Sequence, residues 1–183
     1  MLLPLRDLVR RLRAPRSRVA EVDAVRARLK QATRAPASDD AVALAKELRA
    51  LRAEVLAAFD GAHACTGCGK GRSLPHGRWD GGFCCGGRTD GVFDDDEVAA
   101  LALAGTRPSH LRPPSGDHAG CAFRGPTGCS LDAVDRPNLC VRFVCRELEA
   151  ELREDEAWQR IRTLTRTLET TFARFVKARE GCP

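Results

Sequence analysis

The sequence predicts a mainly α protein, with helical arms packed around a cysteine-rich, loop-dominated metal-binding core. Three observations predict it. Apolar residues recur at helical spacing over 42–60 and again over 147–179, with long polar faces between them. Eight of the nine cysteines fall between Cys65 and Cys145, in a window rich in glycine and turn residues. Hydrophobic content of 43% with 30% charged residues is that of a globular chain, and 183 residues suffice for one domain with a sizeable core. The expected organisation is an N-terminal helical arm (1–60), a cysteine-rich core (61–146) and a long C-terminal helix (147–183) packed on 42–60, all within one compact domain.

Residues 1–14 carry Leu5, Leu8, Val9 and Leu12 at helical spacing, and Pro15 stops that piece. Ser17 caps a second helix that turns Val19, Val22, Val25 and Leu29 to one side. Nine of the first thirty residues are Arg or Lys and three are acidic, so the net charge of +5 resides at this end. A basic arm of this kind is a candidate for nucleic acid or an acidic membrane surface. Aromatics make up only 5% of the chain and tyrosine is absent, which argues against a base-stacking surface and for a solvated helix face.

Ser38 or Asp39 starts the next helix, in which Leu44, Leu48, Leu51, Val55 and Phe59 form one stripe. From Val42 to Asp60 it spans about 28 Å and delivers the chain into the first cysteine pair, Cys65-Thr-Gly-Cys68. Two residues between thiols let both sulfurs reach one metal ion, and the glycines that follow remove Cβ obstacles. Residues 70–83 are polar and turn-rich. The vicinal pair Cys84-Cys85 stands between Gly81-Gly82 and Gly86-Gly87, a framing suited to a polynuclear cluster or to two metal sites sharing a segment.

Asp94 with Glu97 three residues later reads as a capping box for a short helix through Val98, Leu101 and Leu103, closed by Gly105 and Pro108. Cys121-Ala-Phe123 and Gly128-Cys129-Ser-Leu131 read as two short extended pieces around a turn at Gly125-Pro126. Arg136-Pro137 leads to Cys140 and Cys145, whose spacing puts them on adjoining helical faces. From Glu147 to Arg179 the pattern predicts one helix of about 50 Å, striped by Leu148, Leu152, Ile161, Leu164, Leu168, Phe172 and Phe175.

These cysteines are candidate ligands of a metal or of disulfides. Met1–Leu5 is broken at once by Arg6 and Asp7, so no secretory leader is expected, and no segment approaches the length of a membrane span. A cytoplasmic, bacterial setting follows, in which reduced thiols hold a metal. The expected ligands are Cys65, Cys68, Cys84, Cys85, Cys121, Cys129, Cys140 and Cys145, with either zinc or an iron–sulfur (4Fe–4S) cluster as cofactor. His63 and His118 stand two and three residues before a cysteine and are further candidates, whereas Cys182 lies at the terminus as a spare thiol.

The window resembles the YkgJ-type cysteine-cluster family, the CxxCxxCC zinc- or iron-chelating domain. The resemblance rests on Cys65 and Cys68, Cys84-Cys85, the capped helix from Asp94, Cys121-Ala-Phe123, Gly128-Cys129-Ser-Leu131, and Arg136-Pro137 through Cys140, Phe143 and Cys145. The family commonly places two residues between the CxxC and the CC, where this chain has fifteen. The resemblance implies metal chelation and, through flagellin lysine-N-methylases with a related pattern, a link to protein modification. Three functions are therefore open: an iron–sulfur protein with redox or sensing work, a structural zinc module that engages a protein partner through its helical arms, and an enzyme. No nucleotide loop, nucleophile elbow or carboxylate pair supports the last.

Overall fold

The computed structural model describes residues 17–59, 72–74, 78–80, 89–115, 120–125, 128–144, 146–153 and 157–181. Over these residues the protein is mainly helical, with two minimal β-hairpins. The expected helix at 1–14 lies outside them.

Helix α1 (Arg18–Ala32) is capped by Ser17, whose Oγ accepts from the Ala20 N–H at 3.2 Å. Its buried face is Val22, Val25 and Leu29. Val19, expected on the same side, is 65% exposed, because a 3.6-residue turn sets it roughly 90° round from the centre of that face. Helix α2 (Asp39–Ala58) is capped by Ser38, which accepts from Ala41 N–H at 3.2 Å, and buries Leu44, Leu48, Leu51 and Val55. Strands β1 (Arg72–Leu74) and β2 (Arg78–Asp80) pair antiparallel within the stretch expected to be turn-rich.

After a single turn, α3 (Thr89–Val92), comes α4 (Asp95–Leu103), on which the fold centres. Every residue from Glu97 to Ala102 is buried. One side of α4 (Val98, Leu101, Ala102) joins Val22, Val25 and Leu29 of α1 with Phe93, Leu111, Phe123 and Leu131 in a first core. The other side (Ala99, Ala100) joins Leu44, Leu48, Leu51 and Val55 of α2 in a second. Small alanines on that side let α4 approach α2 closely. The helix ends in a Schellman motif: Thr106 N–H bonds Leu101 O at 2.9 Å, Gly105 N–H bonds Ala102 O at 3.0 Å, and Gly105 takes φ +89°.

Strands β3 (Arg124–Gly125) and β4 (Gly128–Cys129) form the second hairpin, with Arg124 opposite Cys129. Cys121–Phe123, expected to be extended, instead form the turn that leads into it. Helix α5 (Asn138–Arg142) follows Pro137 and stops before Phe143, whose ψ of 119° is extended. Cys140 therefore lies on a helix that does not run on to Cys145, contrary to the shared helix expected from their spacing.

The C-terminal stretch is likewise two helices rather than one: α6 (Arg146–Leu152) ends in a turn at Arg153, and α7 runs from Ala157 to Glu180. Packing explains the break. Leu148, Leu152 and Ile161 share a third cluster with Ala58, Phe59 and Trp158 at the end of α2. In one straight helix Leu148 and Ile161 would lie about 20 Å apart. Helix α7 packs along α2, burying Leu168 and Phe175 completely in the second core.

The arginines of α1 act as tethers. Arg18 donates to the carbonyls of Pro114 and Arg124 (3.1 and 3.0 Å), Arg26 to Leu111 O (2.8 Å), and Arg28 to Phe93 O (2.5 Å) and Asp95 (2.6 Å). These groups are not the fully solvated face expected from the sequence. No helix among the described residues is long and apolar enough to cross a membrane.

Candidate metal centre

Three of the eight expected thiol ligands, Cys121, Cys129 and Cys140, are described, and they come from three different segments. Cys65, Cys68, Cys84, Cys85 and Cys145 lie outside the described residues, as do His63, His118 and Cys182. Cys121 is 9% exposed and belongs to the first core, and Cys129 and Cys140 pack against that same core. No disulfide joins the three to one another.

Each thiol-bearing segment is fixed from behind. Gly120, at φ +80°, turns the chain into Cys121. The next residue, Ala122, donates its N–H to Thr89 Oγ1 at 2.8 Å, and that hydroxyl donates in a short bond to Glu21 on α1. Phe123 sets its ring 5.2 Å from Phe93 at 50°. Cys129 is held by its pairing with Arg124, and the ladder continues through Ser130 N–H to Phe123 O at 2.9 Å.

Cys140 sits in the first turn of α5, and that turn is capped from a distance. Asp94 does cap α4, accepting from Glu97 N–H at 2.7 Å. The Glu97 carboxylate does not reach back to Asp94 as a capping box would. It accepts from Asn138 N–H (2.9 Å), Asn138 Nδ2–H (2.9 Å) and Leu139 N–H (3.2 Å), the open N–H groups of α5. Arg52, fully buried on the apolar face of α2, donates Nε–H to Asn138 Oδ1 at 2.9 Å and Nη1–H to Val134 O at 3.2 Å. Asp135 accepts from Thr106 Oγ1 at 2.7 Å and Arg49 Nη1 at 3.3 Å, and its other oxygen lies 3.2 Å from His110 Nδ1.

Burial dominates the electrostatics. It pushes the Glu97 carboxyl up to about 7, against the pull of the Asn138 and Leu139 N–H groups and of Arg52. It lowers Arg52 to about 10, with Glu97 opposing. It raises the Cys121 thiol to about 11, and the nearby Cys129 and Glu21 push the same way. A thiolate at Cys121 is therefore unfavourable in these surroundings.

The sequence did not point to Glu97, Arg52, Asn138 or Asp135 as parts of one support. One signal was present: Arg52 interrupts the apolar face between Leu48 and Val55, where a lone charge needs a buried partner. Among the described residues, no group of three His, Cys, Asp or Glu side chains is arranged to hold a metal ion. The described thiols are soft-metal donors in type, and they border one core. No protein-family model, curated protein or solved structure matches this chain.

Proposed function

We propose that the protein is a metal-binding protein of the YkgJ-type cysteine-cluster kind, holding zinc or a 4Fe–4S cluster through Cys65, Cys68, Cys84, Cys85, Cys121, Cys129, Cys140 and Cys145. The observation that carries this reading is that Cys121, Cys129 and Cys140, from separate segments, border one core on rigid supports with no disulfide between them. Thiolates favour zinc or iron–sulfur centres over hard cations, and eight fill two tetrahedral shells. When bound, such a centre supplies either a structural crosslink (zinc) or one-electron redox chemistry (iron–sulfur). A cytoplasmic setting, where thiols stay reduced, belongs to the same reading.

A second reading, a zinc module that engages a protein partner, is favoured by Leu139 and Phe143, which are 37% and 39% exposed on either side of Cys140. Anaerobic purification with metal analysis and visible absorption separates iron–sulfur from zinc. Cys121→Ser and Cys140→Ser are expected to lose metal and Cys182→Ser to retain it. Metal-free protein, or unchanged metal content in both ligand variants, overturns the proposal.

A further inference from the structure

Arg142 at the end of α5 and Arg162 and Arg166 on α7 line a cleft of about 240 Å³ with Thr165 and Glu169. Residues 162, 165, 166 and 169 are three and four apart, so they share one face of α7. Glu169 accepts from Arg142 Nη1 at 2.5 Å, an ion pair that ties α5 to α7 and holds the Arg142 fork over the cleft. The Thr165 hydroxyl donates back to Ile161 O and Arg162 O at 2.9 and 3.1 Å, so the N–H donors of the cleft are its arginine forks. No ion pair or hydrogen bond among the described residues engages the Arg162 or Arg166 guanidinium. Like charges four residues apart on a helix repel. Among the described lining residues, three guanidinium groups stand against one carboxylate, a formal charge of +2.

We propose that this cleft binds a phosphate monoester dianion. The charge matches a dianion, and planar guanidinium forks suit the paired oxygens of a tetrahedral phosphate. Glu169 competes with the ligand for Arg142. No cysteine is among the described residues that line the cleft.

The test is calorimetric titration of the full chain at pH 7.5 with inorganic phosphate, ethyl phosphate and diethyl phosphate, each against sodium chloride of matched ionic strength. Phosphate and ethyl phosphate are expected to saturate one site, and the singly charged diester to bind about tenfold more weakly. Arg162→Ala and Arg166→Ala are each expected to weaken ethyl phosphate about tenfold without lowering the melting temperature, since both side chains are exposed. Glu169→Gln is expected to tighten it several-fold. Affinity should fall below pH ~6 as the monoester takes up a proton. Heats equal to those of chloride, a diester that binds as well as the monoester, or arginine variants with unchanged affinity overturn the proposal. Metal content measured on the same preparation lets this reading and the metal reading fail separately.

Discussion

Replacing Glu97 with alanine removes the acceptor for three N–H groups in one step: Asn138 N–H, Asn138 Nδ2–H and Leu139 N–H. Glu97 and Asn138 are 3% and 1% exposed, so solvent does not take over the two bonds from Asn138. The substitution also removes the carboxylate that most opposes the lowering of the buried Arg52 guanidinium. Orphaned buried donors cost about 1–3 kcal/mol each. These effects overlap, so the expected loss is about 4 kcal/mol. For a chain of this length that lowers the melting temperature by roughly 8–16 °C, read by circular dichroism on the full chain. Glu97→Gln isolates the charge. Burial holds the Glu97 carboxyl at about 7 instead of 4.5, so the folded chain binds that proton more tightly than the unfolded chain. The stability it contributes is fully present below about pH 4.5 and is lost as pH rises through about 7. At about 1.4 kcal/mol per pKa unit, the wild type should lose about 3 kcal/mol relative to Glu97→Gln across that window. A Glu97→Ala protein that melts within about 3 °C of wild type, or a wild-type-minus-Gln difference that is flat with pH, refutes this account.

Gly105→Ala tests backbone strain alone, because Gly105 takes φ +89° and an added Cβ meets nothing within 4 Å. A loss of about 1 kcal/mol, or roughly 2–4 °C, is expected on thermal melting, and no change would refute the Schellman reading. Leu168→Ala opens a cavity between α2 and α7 at a fully buried position and should cost about 2–5 kcal/mol, whereas Val19→Ala, at a side chain 65% exposed, should stay within about 0.5 kcal/mol. Comparable effects on urea unfolding would refute the core assignment.

What was legible in the chain was local. Ser17, Ser38 and Asp94 announce their helices because a cap needs only the next few N–H groups. The 44–48–51–55 stripe announces α2 because a helix face repeats within itself. What was not legible was set at long range. Asp94 and Glu97 spell a capping box, yet Glu97 serves N–H groups 41 residues later, since α4 is buried and α5 opens beside it. The stripe through Leu148 and Ile161 continues across the break at Arg153, because pattern reports which residues are buried and not whether the backbone bends to bury them. Cysteine spacing likewise suggested a common helix for Cys140 and Cys145, but Phe143 is already extended.

The supports behind the described thiols differ in kind, and the difference bears on what each can tolerate. Cys129 is held by backbone pairing, which is insensitive to side-chain change. Cys121 depends on one hydroxyl, Thr89, which accepts from Ala122 N–H and donates to Glu21. Cys140 depends on a carboxylate, an amide and a guanidinium, all buried. Buried ion pairs are frequently replaceable by apolar side chains of similar volume without loss. Arg52 and Glu97, joined through Asn138 rather than by a direct ion pair, are not, because Glu97 also fills the N-terminal hydrogen-bonding positions of a five-residue helix that carries no side-chain cap of its own. An apolar pair at 52 and 97 would pack, but the Asn138 and Leu139 N–H groups that open α5, the helix carrying Cys140, would lose their acceptor.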